Sequence, residues 1–307
     1  MSPRLAVEWV NLLIPDWPAP ASVRAACSTR WGGVSVAPFD SLNLGDHVGD
    51  APAAVVHNRQ RFAATLGVRP VFLQQVHGFS VAALNHLSPD GLPADGCVTA
   101  LPGLACTVMV ADCLPVLLCR ADGRLVAAAH AGWRGLAGGD GRGVLESVIG
   151  QFKTQARLLY GRSAIKKEVN FMREGAASEE AESANAAILA WLGPCIGPSA
   201  FEVGPEVREA FVNHDAGSEA CFAPSARGST SVKFLADLAG LARRRLARLG
   251  VTRLYGNDST QAWCTASNPS QFFSHRRDGW QVRADAGVGV GGTGRFAASI
   301  WRVGGGD

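Results

Sequence analysis

Two histidines and one cysteine, His77, Cys113 and His130, stand at the edges of apolar segments, and each is followed within two residues by glycine or proline. Glycine lets the backbone approach a ligand closely, and proline fixes a turn that aims the neighbouring side chain. Two imidazoles and one thiolate form a three-ligand zinc set whose fourth position stays open for water or substrate. No pair has the close spacing of a zinc-finger knuckle, so the fold must bring the three together from separate elements. They predict a metal-dependent or thiol-assisted enzyme.

The chemistry of these three residues has two interpretations, which the sequence leaves open. If zinc is bound, Cys113 is a thiolate and both imidazoles are neutral, so that binding releases protons. A zinc-bound water then ionises near neutral pH and becomes a nucleophile. Without a metal, Cys113 and either His77 or His130 form a nucleophile–base pair. The neighbouring Asp112 orients a ligand or exchanges protons, or it serves only as the turn residue at a strand end.

Four arginines near glycines in predicted loops are candidates for binding an anionic group: Arg30, Arg134, Arg276 and Arg295. Their guanidinium forks, together with accessible backbone amides, suit phosphate or carboxylate. The glycine-rich stretch 132–143 matches neither the P-loop nor the dinucleotide-binding pattern. A role in binding nucleoside triphosphates is therefore unsupported.

Composition places the chain among globular proteins. Its 307 residues are 47% hydrophobic, which is ample for a core, and its net charge of +3 is spread along the sequence. No dense basic block with interleaved aromatics occurs, so we expect no nucleic-acid partner. The N-terminus lacks a signal-peptide core, and the longest apolar stretch, 104–119, is interrupted by Asp112 and Pro115, so we expect no membrane span. Eight cysteines, several of them in apolar runs, then fit free thiols in a reducing cytoplasm.

The elements that position these residues can be predicted from apolar periodicity and turn signals. Residues 28–50 form a long ordered loop, and residues 71–76 form a strand that ends at His77. Residues 104–131 form a buried hairpin turning at Asp122-Gly123. Helices are predicted over 51–66, 143–152, 204–213 and 234–249, and further strands over 187–192 and 251–255. The arginine run 243–248 is interpreted as a solvated helix face.

The order of these elements has no strict βαβ rhythm, so a mixed-sheet α+β or α/β fold is more plausible than a Rossmann domain. Residues 161–185 are charged and lack a clean apolar period, which indicates a solvated insertion.

A series of motifs, in this order, runs through almost the whole chain. It comprises Ser28-Thr29-Arg30, Ser41-Leu42-Asn43-Leu44-Gly45, Gln75-Val76-His77-Gly78, Asp95-Gly96, Ala111-Asp112-Cys113-Leu114-Pro115, His130-Ala131-Gly132-Trp133-Arg134-Gly135, Gly193-Pro194-Cys195-Ile196-Gly197 and Phe273-Ser274-His275-Arg276-Arg277-Asp278. The sequence thereby resembles the multicopper polyphenol oxidase (laccase)-like family, now better described as bacterial purine nucleoside phosphorylases. The peptidoglycan editing factor is also placed there.

The resemblance implies zinc at His77, Cys113 and His130, with copper as the alternative metal. It implies phosphorolysis of adenosine, inosine and methylthioadenosine to free base and ribose or methylthioribose 1-phosphate, with adenosine deamination as a side activity. The implied fold is a layered α/β sandwich with mixed β-sheets in a single domain, residues 1–307. Against the family pattern, 161–185 and 280–292 look like loop insertions.

The predicted site therefore has two parts. The catalytic residues are His77, Asp112, Cys113 and His130, and the substrate- and phosphate-binding residues are Arg30, Asn43, Arg134 and Arg276. The expected partners are purine nucleosides and phosphate, and a monomer is expected over an oligomer.

Three alternatives remain open at this stage. The first is a cysteine or metal hydrolase that edits a peptidoglycan precursor, and the second is a copper-dependent polyphenol oxidase. Laccase chemistry normally needs several copper centres, whereas this chain has seven histidines and no His-x-His pair. The third is a binding protein without turnover, in which the motifs only stabilise loops.

Overall fold

The secondary structure is a mixture of short strands and helices. The computed structural model describes residues 10–170, 187–226, 232–279 and 292–304. Its strands are β1 Leu12–Leu13, β2 Val23–Ser28, β3 Arg69–Gln74, β4 Val81–Ala83, β5 Leu92–Pro93, β6 Gly96–Thr99, β7 Leu104–Val110, β8 Leu114–Arg120, β9 Val126–Ala131, β10 Ile188–Leu192, β11 Glu202–Val203, β12 Phe222–Pro224, β13 Phe234–Ala236, β14 Arg253–Gly256 and β15 Phe296–Arg302. Its helices are α1 Pro52–Leu66, α2 Trp133–Ala137, α3 Val144–Asn170, α4 Pro205–Val212 and α5 Leu238–Arg248. None of these helices combines the length and apolarity that a membrane crossing requires.

Two six-stranded sheets form the centre of the molecule. Sheet one has the order β1-β2-β15-β7-β3-β5, and sheet two has the order β14-β10-β8-β9-β6-β4. Both are mixed, since β3 pairs in parallel with β7, and β14 with β10, while most other neighbours are antiparallel. A three-stranded sheet, β11-β13-β12, is separate. The mixed α/β class with mixed sheets, predicted from the sequence, is confirmed.

Strand β8 shows why the sheets stack in layers. Successive side chains of a strand point to opposite faces, and here Val116 and Leu118 pack with the helices α3 and α5, while Leu117 and Cys119 pack against sheet one. Because both faces are buried, the strand is a continuous apolar run rather than an alternating one. On the far side of sheet one, α1 adds a further layer through Phe62.

The predicted hairpin 104–131 is partly wrong. Strand β7 belongs to sheet one, where it pairs with β15 and β3, and only β8 and β9 form a hairpin in sheet two. The break between the sheets lies at residues 111–113, where Asp112 adopts a left-handed φ of 86°. The chain therefore changes sheets at the segment that carries Cys113.

Two predicted boundaries also differ from the structure. Helix α3 continues to Asn170, so the first part of the predicted insertion 161–185 is helical, and residues 171–186 lie outside the described part of the chain. The segment predicted as helix over 234–249 begins instead as β13, and the helix starts only after Asp237, whose carboxylate accepts a hydrogen bond from the Gly240 amide at 2.8 Å. This side-chain cap sets the helix start. Of the predicted insertion 280–292, only Gly292 is described.

The arginine run on α5 is not simply a solvated face. The guanidinium of Arg243 donates to the carbonyl of Asn257 at 2.8 Å, and Arg245 pairs with Glu146 at 3.1 Å. Arg244 is hydrogen-bonded to Asp215. These side chains thus connect α5 to the loops and helices packed around it.

The Asp215–Arg244 pair predicts how stability depends on pH. Its hydrogen bonds hold the pKa of Asp215 well below its usual range, so the unfolded state binds more protons as the pH falls. The stabilisation is present above the unfolded pKa of about 4 and is lost progressively below it. We expect the difference in free energy of unfolding between wild type and Asp215→Asn to shrink as the pH falls from 7 to 3, measured by urea titration. A difference independent of pH would contradict this.

Candidate active site

The structure brings His77, Cys113 and His130 together. His77 follows β3 of sheet one, whereas Cys113 immediately precedes β8 and His130 lies in β9, both in sheet two. Their potential ligand atoms all lie within 4.8 Å of one another, and Cys113 Sγ is 3.7 Å from His77 Nε2. His77 is exposed, Cys113 is half-buried and His130 is buried. The group therefore has an open side at the seam between the sheets.

Backbone conformation and a glycine make this approach geometrically feasible. His77 adopts a left-handed φ of 59°, which few non-glycine residues do and which costs free energy. At Gly132 a Cβ atom would lie 2.9 Å from Cys113 Sγ and 3.0 Å from His77 Cδ2. Only glycine leaves room for the three side chains here.

Gly132 provides a sharp test of the group's geometry. Its φ of −66° suits alanine, so Gly132→Ala strains no backbone but forces Cys113 and His77 apart. We expect zinc affinity to fall by about tenfold or more, as when the support of a ligand is disturbed, measured by competition with a chromogenic chelator. The matched control is Gly139→Ala, where the added methyl meets no atom within 4 Å. Equal zinc affinity in both variants would contradict the argument.

Asp95 links two of the three potential ligands; in the sequence analysis it was named only within the Asp95-Gly96 motif and was given no role. Its carboxylate is fully buried and accepts a hydrogen bond from His130 Nδ1 at 2.8 Å. It also accepts the backbone amides of His77 at 2.9 Å and Gly78 at 2.7 Å. Burial alone would raise the pKa of Asp95, but the hydrogen bond and charge of His130 lower it below its ordinary value. One carboxylate thus fixes both the His130 ring and the loop that carries His77.

The electrostatics of the group favour a thiolate. Burial would raise the pKa of Cys113, but the charges and hydrogen bonds of His130 and His77 lower it to about 6. Burial would lower the pKa of His130, yet the thiolate charge and the hydrogen bond to Asp95 raise it to about 9. The thiolate is both the nucleophilic form of cysteine and the form that binds metals. The geometry is therefore compatible with a metal site and with a thiolate nucleophile.

Asp112 lies beside Cys113, but its carboxylate is already engaged. One oxygen accepts a hydrogen bond from the Thr265 hydroxyl at 2.6 Å, and the other accepts the Arg276 amide at 2.6 Å. Its backbone carbonyl accepts the amide of Ile196 at 2.9 Å. These bonds tie three distant segments to the Cys113 turn, and a catalytic role for Asp112 remains a prediction.

Two of the predicted anion-binding arginines direct their guanidinium groups at the protein. Arg30 donates to the carbonyls of Asp40 at 2.9 Å and Pro269 at 3.1 Å. Arg276 donates through both terminal nitrogens to the carbonyl of Glu202, at 3.0 and 3.1 Å. These contacts favour a role in holding loops, and substrate binding by either residue remains a prediction.

The other two predicted binding residues differ in exposure. Asn43 is fully buried, where its amide donates to Asp50 at 2.8 Å and its oxygen accepts the Arg295 amide at 2.9 Å. Arg134 is exposed on α2, with its guanidinium 4.4 Å from the centre of the Trp133 ring. Of the two, only Arg134 is exposed to solvent, on the helix that begins directly after Gly132.

Sequence comparison now identifies the class of protein that this fold and site define. The chain belongs to the family described as multi-copper polyphenol oxidoreductase laccase, which it matches over residues 24–163 and 161–303. The resemblance indicated by the sequence motifs is therefore confirmed.

Particular relatives carry the name of a different activity. The chain is 45% identical over 289 residues to a purine nucleoside phosphorylase of Pseudomonas aeruginosa, covering 94% of this chain and 97% of the relative. It is 43% identical over 295 residues to the purine nucleoside phosphorylase YfiH of Escherichia coli, covering 95% and 99%. The crystal structure of a Neisseria meningitidis protein, 39% identical, matches with a TM-score of 0.71 over 96% of this chain and all of that one.

Proposed function

We propose that this protein is a zinc-dependent purine nucleoside phosphorylase, which cleaves adenosine, inosine and methylthioadenosine with phosphate. The products are the free base and ribose or methylthioribose 1-phosphate, and adenosine deamination is a side activity. The observation that carries the proposal is the convergence of His77, Cys113 and His130 at one open seam. The names of relatives that share 45% and 43% of their residues with this chain support the same activity.

The donor set fits zinc. Two imidazole nitrogens and one thiolate are ligands that zinc accepts, and three protein ligands leave room for water or substrate. The hydrogen bond from His130 Nδ1 to Asp95 leaves Nε2 as the ring nitrogen available to a metal, the usual arrangement of a carboxylate behind a metal-binding histidine. Zinc bound here would supply Lewis-acid polarisation and neutralise the negative charge of the thiolate.

The residues of the chain itself have positioning roles in this proposal. Half-buried Cys113 and buried His130 present their ligand atoms in a setting where electrostatic interactions are stronger than in water. Exposed His77 lies on the side from which a nucleoside can enter. Arg134 and the Trp133 ring lie on α2, which begins directly after Gly132, and so they border the group. We propose that they contact the nucleoside.

Deamination and phosphorolysis compete for the same nucleoside in this proposal. When phosphate occupies the site, its oxygen attacks the anomeric carbon of the ribose and the purine leaves. When water occupies it, the attack falls on the purine carbon that carries the amino group, and ammonia leaves. A metal-free alternative is a hydrolase acting on a peptidoglycan precursor, favoured by the thiolate–imidazole pairing of Cys113 and His130. The hydrolase differs from the main proposal in that its activity would survive removal of the metal by a chelator.

The family's description as a multi-copper polyphenol oxidoreductase also raises copper-dependent oxidation of phenols. All seven histidines lie among the described residues, and within those residues a single group of three or more potential ligands comes together. Multicopper chemistry needs more ligands than one such group offers. Copper can nevertheless compete with zinc for these three residues.

Turnover of adenosine and inosine by purified, zinc-loaded protein tests the proposal, with and without phosphate. We expect base release that requires phosphate, followed as free base and ribose 1-phosphate. Inosine formed from adenosine without phosphate is the expected side reaction. Absence of turnover with both nucleosides would contradict the proposal, and phenol oxidation by the copper-loaded protein would favour the oxidase.

We further propose that residues 1–307 form one domain, acting as a cytoplasmic monomer. Continuous pairing of β15, near the end of the chain, with β2 and β7 supports a single domain. Light scattering coupled to size-exclusion chromatography tests the monomer, since a mass above one chain would contradict it.

A further inference from the structure

Arg295 is a half-buried cation that lacks a carboxylate partner among the residues the structure describes. Its Nη1 donates to the backbone carbonyls of Thr293 at 2.7 Å and Gly294 at 3.3 Å. Within the same described ranges, Nε and Nη2 make no hydrogen bond. Charged side chains that leave bulk water are normally paired with a counter-charge or a ligand. The free edge of this guanidinium is therefore a candidate for binding an anion.

The position of Arg295 is fixed by the long loop that precedes α1. Its backbone amide donates to Asn43 Oδ1 at 2.9 Å, and its carbonyl accepts the amide of Leu44 at 3.0 Å. Its aliphatic stem occupies the space beside Gly45, where a Cβ atom would lie 2.7 Å from Arg295 Cγ. The buried Asn43 thus positions an arginine, and a guanidinium held in place in advance loses little entropy on binding a ligand.

Arg295 lies beside the segment that carries Cys113. Phe296 pairs with Val110 where β15 runs antiparallel to β7, so Arg295 stands next to residues 111–113. The charges of Cys113 and Asp112 act on its guanidinium. Among the described residues the Asp112 carboxylate accepts from Thr265 and from the Arg276 amide, and no hydrogen bond joins it to the Arg295 guanidinium.

Two histidines lie on neighbouring segments. His275 precedes Arg276, whose amide donates to Asp112 at 2.6 Å, and His47 follows Gly45, beside which the Arg295 stem lies. Burial and the charge of Arg295 both lower the pKa of His47 and of His275. Arg295 and His275 thus both lie beside the Cys113 turn, with His47 on the loop next to Arg295.

We propose that Arg295, together with His47 and His275, forms the phosphate-binding subsite of this protein, a proposal that rests on the phosphorylase function above. A guanidinium fork matches two oxygens of a phosphate, and neutral imidazoles donate further hydrogen bonds. Among the arginines predicted from the sequence, Arg30 and Arg276 already donate hydrogen bonds to backbone carbonyls of other segments. Arg295 keeps Nε and Nη2 free of hydrogen bonds within the described residues and lies beside the segment that carries Cys113.

The placement fits the balance of the reaction. As the bond between the ribose anomeric carbon and the purine nitrogen breaks, its electron pair goes to the purine. A phosphate oxygen forms the new bond to that carbon. The proton carried by HPO₄²⁻ ends on the purine, so the products are the neutral base and the ribose 1-phosphate dianion. A cation beside the attacking phosphate holds it without entering the covalent step.

Phosphate dependence in an Arg295→Gln variant tests the subsite. We expect the KM for inorganic phosphate in inosine cleavage to rise by about tenfold or more, the effect of losing a charged hydrogen-bonding group. The KM for inosine should change by less than about twofold, because a phosphate contact acts on one substrate only. Arg295→Lys should recover part of the loss. The charge-matched control is Arg24→Gln, an exposed arginine of β2 that donates to Ala21.

A second measurement separates this proposal from the function on which it rests. Titration of inorganic phosphate into the zinc-loaded protein, followed by calorimetry without nucleoside, should give binding that Arg295→Gln weakens and Arg24→Gln preserves. If the wild type cleaves inosine but Arg295→Gln keeps its phosphate KM and phosphate affinity, the subsite is refuted. If the wild type cleaves no nucleoside, the phosphorylase proposal fails. The subsite is then tested by calorimetry alone: it stands if Arg295→Gln weakens phosphate binding and is refuted if it does not. Melting temperatures confirm that the variants are folded.

Discussion

Cys113→Ala is expected to abolish phosphate-dependent cleavage of inosine and to reduce bound zinc. The substitution removes the thiolate while leaving both imidazoles, and a site with two neutral ligands binds zinc far more weakly than one with a thiolate. We expect the rate to fall by about a thousandfold or more, as when a group essential to catalysis is removed. Steady-state rates and zinc content by elemental analysis measure the two effects together.

The control for Cys113→Ala is another half-buried thiol with ordinary chemistry. Burial raises the pKa of Cys221 to about 11, so it stays a neutral thiol under the same conditions. Cys221→Ala should retain both zinc and activity. Undiminished turnover in Cys113→Ala would refute the proposed site, whereas turnover that survives chelation but not Cys113→Ala would favour the metal-free hydrolase.

Asp95→Asn is expected to weaken zinc binding by about tenfold to a hundredfold, the usual effect of losing a carboxylate behind a metal-binding histidine. The substitution keeps the size of the side chain but replaces one accepting oxygen with a donor. The backbone amide of His77 donates to one carboxylate oxygen and that of Gly78 to the other, so the new donor would face one of these amides. Both the His130 ring and the His77 loop should therefore lose their fixed orientation. Chelator competition at constant pH measures the affinity.

A purely structural role of Asp95 makes a different prediction. If the role were purely structural, Asp95→Asn would lower the melting temperature equally with zinc and with chelator, and the zinc affinity of the folded protein would not change. If Asp95 positions the zinc ligands, Asp95→Asn lowers the melting temperature of the zinc-bound protein more than that of the protein with chelator. Asp122→Asn, in the turn at the opposite end of the β8–β9 hairpin, is the control for loss of a carboxylate. Equal zinc affinity in Asp95→Asn and wild type would refute the positioning role.

The sequence alone identified the three potential ligands because each carries its own local signal. A histidine or cysteine at a strand end, close to glycine or proline, can be read within a few residues of the sequence. The ordered loop before α1 and the two-faced burial of β8 were accessible for the same reason. Local patterns of this kind depend on residues adjacent in the sequence and not on contacts that form in the tertiary structure.

What the sequence could not supply depends on contacts between distant residues. Strand β7 joins sheet one because it pairs with β15, and Thr107 and Ser299 on these strands are hydrogen-bonded across 192 positions. Asp95 acts on His130 across 35 positions, and nothing near it in the chain indicates a histidine partner. Arg295 differs from Arg30 only in what surrounds each guanidinium. The signal for Asp95 in the sequence was its place in the Asp95-Gly96 motif of the family resemblance, which gives it no role.

The position of the three-ligand group at the seam ties metal binding to the folding of the whole sandwich. His77 extends from one sheet, and His130 belongs to the other. An ion held by both acts as a cross-link that exists only after the sheets have docked. Binding of this kind adds to global stability, by about 4 kcal/mol at a free concentration a thousand times the Kd. Metal supply would then govern how long the folded protein survives in the cell, as well as whether it is active.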